Sequence, residues 1–262
     1  LARLLDAETE VVCIVGKAWD LHVTEALNAT LEEGMAMVVE SIEYLRAHGR
    51  RVFFDAEHFF DGYRHNPEFA LGVLDAAAAA GAERLVLCDT NGGSLPGAAG
   101  AVVSALRDRF AVPLGVHFHN DGGCAVANSV VAAEAGAFQI QGCVNGYGER
   151  TGNADLCSII PNLTLKLGFE TVPARSLNRI YASAHEIAEV MNSPIPSRHP
   201  YVGSSAFAHK AGLHTSGLAR LEGAYEHIDP DLVGNSAKQL FSELMGRAAL
   251  LSVSDARGWN LD

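Results

Sequence analysis

The stretch RVFFDAEHFFDGYRHNPEFALGVLDAAAAAGAERLVLCDT, residues 51–90, contains one full structural period. It opens on an apolar, partly aromatic run at 52–54, crosses a polar loop, and continues into an Ala-rich helical stretch at 67–80. Asn66 ahead of Pro67 marks a helix start. Proline at the first helical position gives up an N–H that has no intrahelical acceptor, and its φ is already helical. Gly81 then closes the helix, and a second apolar run follows at 85–88. A strand, a helix and a strand at this spacing imply parallel pairing through a right-handed crossover.

The same period recurs on either side. Further strand-like runs lie at 11–15, 114–118 and 138–143, and helical stretches at 31–47, 96–110, 123–135 and 154–167. Ser94 ahead of Pro96 reads as another helix start, and Gly49 and Gly136 as helix ends. Five βα units are visible. A doubly wound open sheet would carry a Gly-rich phosphate turn after its first strand, and nothing of the form GxGxxG follows residues 11–15. Polar residues gather instead where strands end: Lys17 and Asp20, Asp55 and Glu57, Asp89 and Thr90, His117 and His119, and Asn145. A (β/α)8 barrel keeps its chemistry at that rim. The expected fold is therefore α/β, an incomplete TIM barrel of about five βα units followed by a small, mostly helical subdomain. Residues 1–172 would be the C-terminal part of the catalytic barrel. Residues 173–262 would hold a linker helix at 177–191, a Pro/Ser break at 193–198, His- and Gly-rich loops, and a helical piece at 237–245. A total of 262 residues matches one whole barrel, but five units occupy only 11–168.

Composition narrows the function classes. Nineteen Lys and Arg against 31 Asp and Glu give a net charge of −12, which disfavours nucleic acid or an anionic membrane surface as partner. Hydrophobic residues at 48% suit a packed core, and mean hydropathy of +0.11 with no long uncharged apolar run excludes a membrane helix. Five widely spaced cysteines form no CxxC pair and read as reduced thiols in a cytoplasmic protein. The first residue is Leu1, and 1–10 reads as the tail of an amphipathic helix without a signal peptide, so a fragment of a longer chain is expected.

The chemistry concentrates in a few strings. In VHFHND, residues 116–121, His117 and His119 are two apart on a strand and share a face, which supplies half of a divalent metal site. The alternative is a pair of hydrogen-bonded core histidines. NGYGERTGN, 145–153, combines a tight glycine loop with Glu149, Arg150 and Asn153; Asn153 suits a metal site or the cap of the next helix. Glu57 at a strand end can take or orient a proton, or be a surface carboxylate. Thr90 in CDTNG can hold a small carboxylate, or the string can be a simple turn. GSSAFAHKAGLH, 203–214, suggests a loop covering a site. No GxSxG or P-loop string supports a serine hydrolase or an NTPase.

HFHND, NGYGERTGN and SAFAHKAGLH, in that order, resemble the acyl-CoA-dependent Claisen-condensing synthases: the 2-isopropylmalate, homocitrate and citramalate synthases. DAEHFFDGY (55–63), LCDTNGG (87–93) and AYEHIDPDLVGN (224–235) are most similar to the citramalate branch. The resemblance implies condensation of acetyl-CoA with pyruvate for isoleucine synthesis, by a homodimer with a divalent metal (Mg²⁺, Mn²⁺ or Zn²⁺). By motif, His117 and His119 would ligate the metal with Asn153 beside or on it, and Thr90 would bind the keto-acid carboxylate. Glu57 would lie at the reacting centre. His214 and Tyr225 would reach the site from the subdomain, in the family that of the partner chain. Arg150 or similar donors would stabilise the developing oxyanion. The family's Arg-Asp-Gly strand end, about three βα units and the C-terminal regulatory domain are not in this sequence, so this chain alone is expected to be inactive and poorly soluble. Rival readings are a sister synthase, a lyase on a related barrel, and a non-catalytic fragment acting as an interaction or folding partner.

Overall fold

A computed structural model describes residues 1–209, 225–239 and 254. After the short helix α1 (Ala2–Leu5), strand β1 (Val11–Lys17) leads through a π-turn at His22–Ala26 into helix α2 (Leu31–Ala47). Strand β2 (Arg51–Glu57), helices α3 (Phe59–His65) and α4 (Pro67–Ala79), and strand β3 (Arg84–Asp89) follow. Helix α5 (Pro96–Leu106), strand β4 (Leu114–Phe118), helix α6 (Ala125–Ala135) and strand β5 (Gln139–Gln141) complete the repeat. The five strands pair in parallel, each with its sequence neighbour, in the order β1-β2-β3-β4-β5.

That order decides the architecture. A doubly wound sheet reverses direction at a switch point, whereas strands added always to the same side curl into a barrel wall. The sheet is an arc of a (β/α)8 barrel. Parallel neighbours joined by right-handed crossovers put the connecting helices on one face. Val52, Phe54, Ala56, Leu85 and Leu87 point into that layer and are fully buried. Alternation puts Cys13, Asp55, Glu57, His117 and Gln141 on the other face.

Local signals explain the helices. Thr30 and Glu33 form a reciprocal capping box at α2, and Asn66 Oδ1 accepts from Phe69 N at the start of α4. Gly49, Gly81 and Gly136 all have φ between +75° and +110° at helix ends. Several details differ from the sequence reading. Helix α3 was not expected; its Phe59 ring stacks on Tyr63 one turn on, with Phe59 fully buried. Ser94 does not cap α5, because Leu95 holds the cap position ahead of Pro96; the Ser94 amide donates instead to Asp89 Oδ2 (3.0 Å). The helix ends at Leu106, four residues early.

Residues cluster into two compact units, Leu1–Asp155 and Leu156–Asp262. In the second, helix α7 (Leu156–Pro161) passes into a π-turn at Asn162–Lys166 and a 3₁₀ turn at Ala174–Arg179, then helix α8 (Ile180–Val190). The segment after the Pro/Ser break is fastened by polar contacts. Tyr201 donates to Asn162 Oδ1 (2.6 Å), and the buried Asn235 amide donates to the carbonyls of Tyr201 and Gly203 (2.8 and 3.2 Å). Strand β6 (Ala208–His209) pairs with β7 (Lys238–Gln239), so the expected helical piece at 237–245 begins instead in a short strand; its residues from 240 lie outside the described set.

Candidate active site

Strand β4 delivers His117 and His119 to the rim, with ring centroids 5.2 Å apart. Phe118 between them points into the helix layer, fully buried, its ring 5.4 Å from that of Phe60. The two imidazoles are held differently. His117 Nδ1 meets Gln141 Oε1 at 2.9 Å; Gln141 Nε2 donates to Asp55 Oδ1 at 3.0 Å, and the Cys13 thiol donates to the same oxygen at 3.1 Å. Burial and the Asp55 carboxylate push the Cys13 thiol up to about 12, so it stays protonated and remains a donor. His119 is buried, and among the described residues its Nδ1 has no hydrogen-bond partner. Burial first, then His117 and Arg150, lower its pKa and favour the neutral ring that ligates metals.

The loop at 145–153 folds back on itself. Gly152 N donates to Glu149 O (2.9 Å) and Asn153 N to Gly146 O (3.0 Å). Gly152 has φ +92°, and a Cβ there would strike the Gly146 carbonyl, so glycine is required. The loop then bridges to the end of β4: Asn120 N donates to Gly152 O (2.9 Å), Ala154 N to Phe118 O (3.0 Å), and His119 and Asn153 form an antiparallel bridge. Asn153 Nδ2 donates to Tyr147 O (3.0 Å), while its Oδ1 is buried without a donor.

Two neighbouring residues thus each bury a polar atom that no group among the described residues satisfies. Imidazole nitrogen and amide oxygen form the donor set of a divalent cation, and the fit is good. Among the described residues no group of three His, Cys, Asp or Glu side chains converges, so this chain's share of such a site is two imidazoles and one amide.

Thr90 and Glu57 stand on the adjacent strand ends. Thr90 Oγ1 accepts from His58 N (2.8 Å), leaving its hydroxyl proton to donate. Asp89 and Gly92 close the CDTNG string as a turn (Gly92 N to Asp89 O, 3.0 Å), and burial raises the Asp89 carboxyl. Glu57 pairs with Lys17, its neighbour across β1 and β2. The Arg150 guanidinium is already committed: it forks onto Asp121 (2.8 and 2.9 Å), and also contacts Glu149 (2.7 Å) and the Thr90 carbonyl (2.7 Å). It ties three rim loops together. Tyr225 is exposed in the second unit, and His214 lies outside the described residues.

Two features escaped the sequence reading. Gln141, in a strand read as apolar, links both His117 and Asp55; its signal was its place two residues before Cys143 on the rim-facing side. Beside Glu57, the Trp19 ring stacks on His22 and His65 (4.9 and 5.5 Å between centroids), and His58 lies 4.1 Å from His22. Burial, His58 and Lys17 lower the pKa of His22.

The HMGL-like family model matches residues 1–185, and the homocitrate synthase post-HMGL domain-like model matches 201–262. The chain belongs to the HMGL-like family. It is 52% identical to the (R)-citramalate synthase of Aquifex aeolicus over 99% of this chain and 49% of that one. Against the homocitrate synthase AksA of Methanopyrus kandleri identity is 34%, over 97% of this chain and 63% of that one. The chain spans about half the length of the citramalate synthases it matches. Among solved structures, the HMG-CoA lyase of Bacillus subtilis superposes with a TM-score of 0.62 at 24% identity, covering 74% of this chain and 67% of that one, a likeness of fold. This HMGL-like membership accounts for the singly wound arc.

Proposed function

We propose that this chain supplies the metal-holding rim of an enzyme that condenses acetyl-CoA with pyruvate to give citramalate, for isoleucine synthesis. The observation that carries the reading is the pair of buried, unpartnered atoms His119 Nδ1 and Asn153 Oδ1 on bridged residues beside His117. His117, His119 and Asn153 would hold a divalent cation (Mg²⁺, Mn²⁺ or Zn²⁺), which when bound polarises the keto-acid ketone as a Lewis acid. The Thr90 hydroxyl proton donates to the keto-acid carboxylate, on a turn fixed by His58 N and Arg150. A base takes a proton from the acetyl methyl; His214 is assigned that role, with Glu57, anchored by Lys17, and Tyr225 assisting. Thioester hydrolysis then drives the reaction forward. The whole enzyme is read as a cytoplasmic homodimer with small-molecule substrates only; no helix among the described residues is long and apolar enough to cross a membrane.

The citramalate branch is favoured over a sister synthase by 52% against 34% identity. Thiol release from acetyl-CoA by the full-length protein, measured with pyruvate, 2-ketoisovalerate and 2-ketoglutarate, separates them. Pyruvate should be strongly preferred; activity with either larger keto acid and none with pyruvate would transfer the reading to the sister synthases.

A further inference from the structure

The contact between β4, β5 and β2 on the rim-facing side does more than fill space. Gln141 sits beside His117 in the β4–β5 register, and Asp55 lies across from both. Which end of an amide is oxygen must be settled by its neighbours. Here the neighbours settle it. The Asp55 carboxylate offers only acceptors, and Oδ1 takes donors from Cys13 and Gln141. The reverse orientation would set Gln141 Oε1 against a carboxylate oxygen at 3.0 Å, acceptor against acceptor. Gln141 Nε2 therefore faces Asp55 and Oε1 faces His117. An acceptor 2.9 Å from Nδ1 requires the proton on that nitrogen.

We infer that Gln141, backed by Asp55 and Cys13, is a positioning residue that fixes His117 as the Nδ1–H tautomer, with the lone pair left on Nε2. A free imidazole distributes its proton over both nitrogens, and ligation needs the bare one. The contact chosen by Gln141 thus sets both the tautomer and the ring plane before any cation arrives. His119 has no such partner at Nδ1, so the two rings are predicted to differ: His117 in one tautomer, His119 unconstrained at that atom. The consequence for metal affinity rests on the proposed function; the tautomer does not.

The test separates the two. Metal-free full-length protein labelled with ¹⁵N-histidine is examined at about pH 8 by long-range ¹H–¹⁵N correlation. The His117 signals are assigned by their loss in His117→Gln. Wild type should show Nδ1 protonated and Nε2 bare, and Gln141→Leu should show a mixture. The exchange Asp55→Asn with Gln141→Glu reverses donor and acceptor across the 55–141 contact but keeps an acceptor facing His117, and it should restore the single tautomer. Calorimetric titration with Mn²⁺ should show Gln141→Leu binding about 10–100-fold more weakly, with recovery in the exchange variant. A wild-type His117 protonated on Nε2, or an unchanged Nδ1–H in Gln141→Leu, overturns the inference. If the tautomer follows Gln141 while wild type and His117→Ala bind Mn²⁺ alike, the positioning role stands and the metal reading falls.

Discussion

Replacing Gly92 by alanine tests whether the rim loops are as closely packed as the geometry requires. Gly92 ends the turn that carries Thr90, and its φ of +63° lies in the left-handed region. A Cβ there would sit 2.6 Å from Asp121 Oδ2, 2.7 Å from Asp121 N and 3.0 Å from the His119 carbonyl carbon. The carboxylate can swing away, but the backbone atoms belong to the end of β4 and can move only with it. Gly49 is the internal control, with φ +75° and nothing within 4 Å of an added Cβ. Left-handed backbone costs alanine about 1–2 kcal/mol, offset in part by about 0.4–1 kcal/mol of lost unfolded-state entropy, so Gly49→Ala should lose about 1 kcal/mol. Gly92→Ala bears the same term and adds about 1–3 kcal/mol of overpacking. With a urea m-value of about 2 kcal/mol/M, the two variants should unfold about 1 M apart. Because the strain falls on the His119 backbone, Gly92→Ala should also weaken Mn²⁺ binding by calorimetry, and Gly49→Ala should not. Equal midpoints, or a greater loss at Gly49, would refute the close approach of the two loops.

Other expectations follow from single contacts. At about pH 8 the Cys13 peptide should alkylate at least ~100-fold more slowly than an ordinary thiol, since so little is thiolate; Asp55→Asn should speed it, and ordinary reactivity in wild type would contradict the thiol–carboxylate contact. For His22 the folded pKa lies below the unfolded one, so the unfolded state binds more protons as pH drops. Its contribution is therefore present above the ordinary value of 6.5 and lost as pH falls toward the lowered one; His22→Gln should flatten that part of the Tm–pH curve, and an unchanged slope would argue against it. Strand β1 has no partner on its outer side among the described residues, and Val15 is 65% exposed, so the isolated chain should self-associate and Val15→Lys should reduce this in sedimentation.

Much of this was legible in the sequence, for identifiable reasons. Helix α2 and the start of α4 were read to the residue because Asn66-Pro67 and the apolar spacing act locally. The rim histidines were legible because strand alternation is a fixed period, so i and i+2 share a face. Helix α3 was missed because seven residues, led by His58 with φ +56°, are too few to show a period. Ser94 was misread because Pro96 is the first helical residue, which puts Leu95 and not Ser94 at the cap position. The ties Arg150 makes were not foreseen because its partners come from loops 29 and 60 residues away. Local signals survive folding; competition among distant groups for one donor does not show in a string.

The histidine rim also differs from an ordinary buried polar cluster in how its contacts end. From Cys13 through Asp55 and Gln141 to His117 every donor meets an acceptor. At His119 and Asn153 the pattern stops with one unpartnered atom on each residue. A buried polar atom without a partner costs about 1–3 kcal/mol, and an apolar side chain of similar shape would remove that cost. Two such atoms, on bridged residues beside a ring whose lone pair is set by Gln141, are poorly explained by stability alone. A cation taken up by all three would reverse the penalty, and binding that stabilises only the folded chain adds about 2.7 kcal/mol at 100 times Kd. A Tm rise with Mn²⁺ that is lost in both His119→Ala and Asn153→Ala would tie the unsatisfied atoms to the ligand. A rise that persists in Asn153→Ala would leave the amide oxygen as a structural cost and confine ligation to the imidazoles.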